Sequence, residues 1–376
     1  MISVTQFFRL AALCGLVMSG SAGVAAEILI GQTSGFTGPV ATSVKETTDG
    51  ARLYFNAVNA RGGVNGQQIK LISLDDQFDV PLARKNVQEL ITEKNVVALM
   101  MNRGTPHTEG FISLLNEYRV PLVAPSTGAM VLHKPVQPYV FNVRASYQRE
   151  VERALQHLNS IGVSRFAFIH VDDSFGSDAA LGAKKGFTAI QKTPVFQDKF
   201  DRAKPDFSVI VPRLVKVDPQ AVILVGSAQA VADGIKAIRD AGLRSQIVTL
   251  SNNASEGFVK LLSGNGNARG IIITQVFPYE RSVAALMVKE AMDLAKAKGE
   301  EGVSPAMMEG FAGAKVLVEG LRRAGRNPTR ESLVAALNSL RKFDLGGMEI
   351  SYSPEDHTGL DFVDLSIIDA SGKFRR

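Results

Sequence analysis

The chain has 376 residues, of which 45% are hydrophobic, 21% charged and 7% aromatic, with 34 glycines, one cysteine and no tryptophan. This composition is that of an ordinary soluble globular protein, and it excludes an intrinsically disordered chain, a collagen-like repeat and a disulfide-rich scaffold. The formal net charge of +5 is spread along the sequence without long basic runs, so it gives no indication of nucleic-acid binding. A single core rarely grows beyond about 250 to 300 residues, so the length favours two domains.

Residues 1–26 carry the pattern of a cleavable secretory signal peptide. The stretch 10–26 is apolar or small throughout and contains no acid, and Val24 and Ala26 occupy the positions that a signal peptidase requires to be small. Cleavage after Ala26 would remove Cys14, so we predict an exported, periplasmic protein without disulfides. An uncleaved anchor is the first alternative, but the strongly apolar part is shorter than the ~20 residues of a membrane span. A lipoprotein is the second, but Leu13 stands where a lipobox has a small residue.

From residue 27 onward, short apolar runs alternate with segments of helical period. The run 28–30 leads into a glycine-rich loop, and Ala51, Tyr54, Phe55 and Val58 then follow with the spacing of a helix that has one buried face. The alternation continues with predicted strands at 68–74, 96–100 and 122–124 and predicted helices at 81–91 and 109–118. Strands that alternate with helices predict a parallel, doubly wound α/β sheet.

A second set of the same kind begins after residue 144. Its predicted strands are 166–170, 194–197, 221–225, 247–250 and 271–274, and its predicted helices are 151–158, 179–190, 207–217 and 230–241. The chain ends with predicted helices at 283–298, 307–324 and 331–340 and with strand-like segments at 347–352 and 362–368. No long linker separates the two sets, so we expect two α/β lobes that share several chain crossings.

Motifs for catalysis, metal binding and cofactor binding are missing from the sequence. The five histidines lack the spacing of a zinc site, no serine lies in a nucleophile elbow, and no segment fits a P-loop. Gly264, Gly266 and Gly270 are spaced like a loosened dinucleotide fingerprint, but they precede a strand instead of following one, and we interpret them as a loop. We therefore predict a protein without cofactor or metal.

Two aspartate pairs follow predicted strands at the edge of a sheet where open α/β folds bind ligands. These pairs are Asp75-Asp76 and Asp172-Asp173. Acid-base chemistry is one interpretation of each pair. An interpretation at least as good is that the aspartates form turns and cap helices.

Two strand-end loops rich in hydroxyl groups and glycine form the candidate binding site. The loop 103–105 follows the strand at 96–100, and the loop 125–128 follows the strand at 122–124, so both lie at the same edge of the sheet. Hydroxyls and exposed amides suit a small anion, because a hydrogen bond to a carboxylate contributes roughly 1.5 to 3 kcal/mol. Three or four such bonds would support a micromolar affinity, about −8 kcal/mol. The alternative is that both loops are solvated turns.

Several segments resemble the leucine/isoleucine/valine-type periplasmic binding proteins of ABC transporters. The most specific are 49–52, 58–66 and 74–76, and weaker support comes from 123–127, 172–176, 310–325 and 361–369. The resemblance implies the type I periplasmic binding protein fold, with two Rossmann-like lobes, parallel sheets and a three-crossover hinge that closes on a ligand.

With this fold, the predicted division of the chain is a signal peptide at 1–26, a first lobe at 27–143 plus 277–350, and a second lobe at 144–276 plus 351–376.

The same resemblance implies which residues hold the ligand. Its carboxylate would be anchored by the two loops of the first lobe, with Arg103 as an adjacent cation. Ser43 and Phe311 match positions that line the side-chain pocket, and Phe175 matches an aromatic residue that covers the ligand. The predicted ligand-binding residues are Ser43, Arg103, Gly104, Thr105, Ser126, Thr127, Gly128, Tyr147, Phe175, Ser227, Ser251, Asn252 and Phe311.

One departure from the family bears on the ligand. Amino acid binders of the family place an acid near Ser251-Asn252 to meet the ammonium group, and this sequence has none there. Unless Asp172 or Asp173 substitutes, a buried α-amino acid would lack a charge partner. Another small carboxylate, aromatic or aliphatic, is therefore an alternative to leucine.

We predict that the protein is not an enzyme but the monomeric binding component of an ABC importer, which captures an amino acid or another small carboxylate and presents it to an inner-membrane permease. One alternative is a periplasmic sensory protein that passes its signal to a receptor. Another is a secreted α/β enzyme that uses Asp75 or Asp172.

Overall fold

The chain folds into two α/β lobes, which the computed structural model describes for residues 27–263 and 267–376. The predicted signal peptide lies outside these ranges, as do Gly264 and Gly266 of the predicted glycine loop. No helix within these ranges is long and apolar enough to cross a membrane.

The first lobe is built on a five-stranded sheet in which all neighbours are parallel. Its strands are β1 (Glu27–Ser34), β2 (Gln68–Asp75), β3 (Ala98–Met100), β4 (Leu122–Val123) and β5 (Val140–Phe141), in the order β2-β1-β3-β4-β5. The connecting helices are α1 (Ala41–Ala60), α2 (Val80–Thr92) and α3 (Thr105–Tyr118). Alternation along β3 decides which side each residue packs on. Leu99 joins the apolar cluster with α2 and α3, while Ala98 and Met100 join the cluster with α1.

The second lobe contains a seven-stranded sheet with an antiparallel edge. Its parallel strands are β6 (Phe166–Val171), β7 (Phe196–Phe200), β8 (Ala221–Val225), β9 (Gln246–Thr249) and β10 (Ile272–Gln275). Its helices are α4 (Tyr147–Ser160), α5 (Ser174–Ala189), α6 (Ile210–Val217), α7 (Ala228–Asp240) and α8 (Glu256–Leu262). Two strands near the end of the chain complete the sheet: β13 (Asp364–Ile368) runs antiparallel to β10, and β14 (Phe374–Arg375) runs antiparallel to β13. The predicted α/β fold with parallel sheets is confirmed, and this edge is added to it.

Three further helices return to the first lobe. They are α9 (Leu286–Ala297), α10 (Pro305–Ala324) and α11 (Arg330–Asn338), and the two-stranded ribbon of β11 (Phe343–Asp344) and β12 (Glu349–Ile350) follows them. Two glycines allow α1 and α10 to pack with their backbones in contact. A Cβ atom on Gly50 would lie 1.9 Å from the carbonyl oxygen of Met307, and one on Gly310 would lie 1.8 Å from that of Thr47. Close packing of α1 against α10 thus explains why glycine occurs at these two positions of the segments that resemble the family.

The chain passes between the lobes three times, near residues 142–146, 276–285 and 361–363. Tyr352 and Leu360 are buried in the core of the first lobe, and the Tyr352 hydroxyl donates to the Asn142 carbonyl at 2.6 Å. The structure therefore places the third passage after about residue 360, later than the predicted boundary at 351. The sequence pattern missed this because the segment has no regular period.

Candidate functional site

A cavity of about 30 Å³ lies between the lobes, at the carboxyl ends of their parallel strands. The lobes are in a closed arrangement, because hydrogen bonds join them on both sides of the interface, from Arg103 to the Asn252 carbonyl and from the Gly257 amide to Glu46. The first lobe contributes Val40, Phe78, Arg103, Gly104 and Thr105 to the lining. The second lobe contributes Tyr147, Val171, Phe175, Phe200, Arg202, Ser227, Ala230 and Asn252.

The strand order of the first sheet explains why a site forms here. Strand β1 has β2 on one side and β3 on the other, so the chain leaves the sheet in opposite directions at this point. Such a reversal opens a crevice at the carboxyl ends of the strands. Val40, Phe78 and Arg103 all lie shortly after β1, β2 and β3, respectively, and all three line the cavity.

Arg103 is a buried cation whose partners are neutral. Its Nη1 donates to Ser126 Oγ at 2.9 Å, and its Nη2 donates to Ser43 Oγ at 3.2 Å and to the carbonyl oxygen of Asn252 in the other lobe. Among the described residues, no carboxylate forms an ion pair with it. Burial lowers the pKa of Arg103, because the cation has lost its water. A desolvated guanidinium of this kind is well suited to bind an anion in two parallel hydrogen bonds.

Thr105 places a hydroxyl and a helix N-terminus next to this cation. It is the first residue of α3, and its Oγ1 lies 2.8 Å from Oγ1 of Thr127. Gly104 precedes the helix with a φ of 101°, a conformation that favours glycine. The free amides at a helix N-terminus attract negative charge. The Arg103 guanidinium, the Thr105 hydroxyl and this helix N-terminus thus lie together at one part of the cavity lining.

Aromatic side chains form much of the remaining wall. The rings of Tyr147 and Phe175 are 4.6 Å apart, and both residues are buried. Burial raises the pKa of Tyr147. Val171 and Phe200 extend this surface. The cavity thus combines a cationic end with an apolar, aromatic body.

Neither of the aspartates considered as ammonium partners lines the cavity. Asp173 caps α5 by accepting from the Gly176 amide at 3.0 Å, and it pairs with Arg202. Asp172 pairs with Lys199 at 2.8 Å, and its side chain is half exposed. The lining contains no carboxylate among the described residues.

Asn252 supplies a neutral acceptor to the cavity instead of an acid. Its Nδ2 donates to the Gly226 carbonyl at 2.9 Å, while its buried Oδ1 has no hydrogen-bond partner within 27–263 and 267–376.

Asp75 and Asp76 shape the loop that follows β2. Asp75 Oδ1 accepts from the amides of Phe36 and Gln77, each at 2.9 Å, and Asp76 Oδ1 accepts from the Phe78 amide at 2.9 Å. Burial raises the pKa of Asp76 to about 6. These contacts support the turn-forming interpretation of this pair and place neither aspartate in the lining.

The predicted ligand-binding residues fall into two groups in the structure. The cavity lining includes seven of them, namely Arg103, Gly104, Thr105, Tyr147, Phe175, Ser227 and Asn252. The lining omits the other six, namely Ser43, Ser126, Thr127, Gly128, Ser251 and Phe311.

The six residues outside the lining have clear structural partners. Ser43 and Ser126 hold Arg103, and Thr127 holds Thr105. Ser251 Oγ accepts from the buried Arg144 at 2.6 Å, and the Gly128 carbonyl accepts from the Tyr147 amide at 2.8 Å. Phe311 packs in the core of the first lobe, with its ring 5.1 Å from that of Tyr54. It lies on the buried face of α10 and does not line the cavity, contrary to the prediction from the family resemblance.

Sequence reasoning missed six lining residues. They are Val40, Phe78, Val171, Phe200, Arg202 and Ala230. Their position relative to the strands could have indicated four of them. Val40 and Phe78 lie in loops at the carboxyl ends of β1 and β2, and Val171 and Phe200 are the last residues of β6 and β7.

Comparisons with known proteins agree with this architecture. The family model described as periplasmic binding protein matches residues 27–370. The chain is 24% identical to the Leu/Ile/Val-binding protein of Escherichia coli (strain K12), over 80% of this chain and 81% of that protein.

Two solved structures are also similar. A substrate-binding periplasmic protein from Ralstonia solanacearum is 30% identical, with a TM-score of 0.82 over 92% of this chain and 99% of that one. A possible leucine/isoleucine/valine-binding protein from Rhodopirellula baltica SH 1 is 26% identical, with a TM-score of 0.86 over 94% and 97% of the two chains.

The family match spans nearly all of the described residues, and the proteins of this family bind solutes without converting them. The predictions of the family and of a protein that is not an enzyme are confirmed. The chain belongs to the periplasmic binding protein family.

Proposed function

We propose that this protein is the binding component of an ABC importer, which captures a small carboxylate between its lobes and presents it to an inner-membrane permease. The observation that carries the proposal is Arg103, a buried cation at the cavity whose hydrogen-bond partners among the described residues are all neutral. A carboxylate bound there would neutralise the guanidinium and replace the water that it has lost. The names of relatives such as the Leu/Ile/Val-binding protein of Escherichia coli support a small carboxylate-bearing solute.

The carboxylate would lie between the guanidinium of Arg103 and the N-terminus of α3, where Thr105 also offers a hydroxyl. Ser43, Ser126 and Thr127 would act behind these groups, because they fix the donors without lining the cavity. This arrangement supplies about three charge-assisted hydrogen bonds, which corresponds to a micromolar affinity.

The rest of the ligand would be apolar and would carry no ammonium group. Tyr147, Phe175 and Phe200 suit an aromatic or branched aliphatic body, around which the lobes would close less tightly than around the 30 Å³ cavity of this structure. An α-ammonium would meet the neutral Oδ1 of Asn252 and no carboxylate of the described lining, and a buried cation without a counter-charge is costly. We therefore propose that acids without an α-ammonium bind more tightly than the corresponding amino acids.

The compartment and the partner follow from the same proposal. We propose that the chain acts in the periplasm after removal of residues 1–26, and that it docks on its permease as a monomer.

Isothermal titration calorimetry with a small panel tests the ligand class. L-Leucine and 4-methyl-2-oxopentanoate share one carbon skeleton and differ at the α-position, while benzoate and benzamide differ in the anionic group. We expect the keto acid to bind more tightly than leucine, and benzoate to bind where benzamide does not. Tighter binding of leucine would overturn the ammonium argument. Equal binding of benzoate and benzamide would overturn the carboxylate anchor.

Uptake by cells tests the role in transport. Cells that lack this chain should lose high-affinity uptake of the radiolabelled acid that binds best, and expression of the chain should restore it. Unchanged uptake together with a lost transcriptional or chemotactic response to the acid would favour the sensory alternative.

A further inference from the structure

Phe78 and Arg202 meet across the two lobes at the edge of the cavity. Phe78 belongs to the loop after β2 in the first lobe, and Arg202 follows β7 in the second. The guanidinium carbon of Arg202 lies 4.9 Å from the centre of the Phe78 ring, within the range of a cation–π interaction. Most of the lining is buried, whereas both of these residues are partly exposed. The pair therefore lies on the side of the cavity that faces solvent.

The first lobe holds the Phe78 backbone in an unusual conformation. Gln77 and Phe78 have φ values of 52° and 60°, in the left-handed region that residues with a side chain seldom adopt. Two carboxylates fix this turn, since Asp75 Oδ1 accepts from the Gln77 amide and Asp76 Oδ1 accepts from the Phe78 amide, both at 2.9 Å. Such conformations persist where the surroundings determine them, and they are common at ligand clamps.

The Phe78 ring is also fixed from one side. His107 of α3 stacks on it with a centroid distance of 4.3 Å and an interplanar angle of 21°. Burial lowers the pKa of His107 to about 4, so this ring is neutral at neutral pH. A Cβ atom on Gly104 would lie 2.5 Å from His107 Nδ1 and 3.1 Å from the Phe78 ring, so the stack requires glycine there. The Phe78 ring thus contacts both the imidazole of its own lobe and the guanidinium of the other lobe.

The second lobe fixes Arg202 in turn. Its Nε and Nη2 both bind the carboxylate of Asp173, which caps α5. The same helix carries Phe175, part of the cavity wall. Each half of the contact is thus preorganised within its own lobe, and only closure brings the halves together.

We propose that Phe78 and Arg202 form an interlobe clasp that covers the solvent-facing side of the cavity and slows the release of the bound ligand. The inference rests on the proposed function, because it assigns a second task to the residues around that same cavity. The contact joins different lobes, so it stabilises the closed state alone and acts on release rather than on capture. A cation–π contact of this kind corresponds to a change of about 5- to 30-fold in the release rate.

Stopped-flow kinetics with benzoate as the probe test the clasp. Arg202→Ala should accelerate release about 5- to 30-fold and change the association rate less than about 2-fold. Phe78→Leu keeps the bulk and removes the aromatic face, so it should accelerate release in the wild-type background and have little further effect beside Arg202→Ala. Arg213→Ala is the matched control, because Arg213 also pairs with an aspartate and covers a phenylalanine ring at 5.5 Å, but within the second lobe alone. Release rates that remain unchanged in both variants, or effects that simply add, would overturn the proposal.

A second measurement does not depend on the ligand class. The chain has no tryptophan, so Phe78→Trp introduces a single indole, at the clasp, whose emission is separated from that of the six tyrosines by excitation at the red edge of the spectrum. Acrylamide should quench this indole more efficiently when Arg202→Ala is added, and Arg213→Ala should leave quenching unchanged. If benzoate fails to bind the wild-type protein, the proposed ligand class fails, while the quenching comparison still decides whether the clasp exists. Equal quenching with and without Arg202 would overturn it.

Discussion

Replacing Arg103 by methionine separates ligand binding from stability. The side chain of Arg103 is buried and donates to Ser126, Ser43 and the Asn252 carbonyl, without a carboxylate partner among the described residues. Methionine has a similar length and is apolar, so Arg103→Met removes the charge while filling most of the space. The substitution therefore acts on the anion site without opening a large cavity.

The expected effects on stability and on affinity differ in size. Exchanging a buried charge for an apolar side chain is often neutral or stabilising, and the loss of three hydrogen bonds to neutral oxygens offsets part of that gain. We expect the free energy of unfolding of the unliganded protein to change by less than about 2 kcal/mol. A bound carboxylate would lose two charge-assisted hydrogen bonds, or about 3 to 6 kcal/mol, so its affinity should fall by roughly 10²- to 10⁴-fold.

Calorimetry at pH 7.5 with the best-binding acid of the panel measures the affinity, and chemical denaturation without ligand measures the stability. Arg103→Lys keeps the charge but loses the planar pair of donors, so it should give an intermediate loss. Arg330→Met is the control, because Arg330 donates to the carbonyls of Val96 at 3.1 Å and Ile91 at 3.0 Å in the first lobe and does not line the cavity. It should lower stability and leave affinity unchanged. An affinity of Arg103→Met within about threefold of the wild type would refute the anchor.

Three further predictions concern other contacts of the site and its surroundings. Thr105→Val alone should lower the free energy of unfolding by about 1 to 3 kcal/mol, because it leaves the Thr127 hydroxyl unpaired. Valine at both positions should be nearly neutral in chemical denaturation and should still weaken carboxylate binding. A double variant that is less stable than the single variant would contradict this. The pKa of Asp76 is raised to about 6, so the folded state binds this proton more tightly than the unfolded state. The free energy of unfolding should therefore rise by up to about 3 kcal/mol from pH 7 to pH 4. Asp76→Asn should remove this part of the pH dependence. Glu46 of α1 accepts a hydrogen bond from the Gly257 amide of α8 at 2.8 Å, across the lobes. Glu46→Gln should destabilise the closed state and weaken ligand binding about tenfold in calorimetry. An unchanged affinity would exclude this contribution.

Much of the secondary structure could be predicted because its signals are local. Buried parallel strands such as β8 are continuous apolar runs, and the helix α1 shows its buried face in the spacing of Ala51, Tyr54, Phe55 and Val58. The start of α3 was harder, because the polar segment at Thr105 has no apolar period, although the proline that follows is typical of a first helical turn. The short helix α8 was not predicted, since its seven residues give too little periodic signal.

The site was only partly predictable, because some of its residues are positioned by contacts that are not local in the sequence. Arg103, Gly104 and Thr105 follow a strand directly, so their place at the sheet edge could be inferred from the order of elements. Phe78 could not be identified in this way, because its position depends on two residues in the left-handed region and on hydrogen bonds that the preceding aspartates accept from the backbone. Arg202 could not be identified in this way either, because it is held at the cavity by Asp173, which lies 29 residues earlier in the chain.

The sequence by itself determined the fold class, the family and the polar character of the first-lobe loops, because apolar period and loop chemistry are properties of neighbouring residues. The tertiary structure alone decided that Ser43 and Ser126 support Arg103, that Phe311 packs in the core, and that Phe78 meets Arg202. These outcomes depend on contacts between segments far apart in the chain, which form only when the helices pack and the two lobes close.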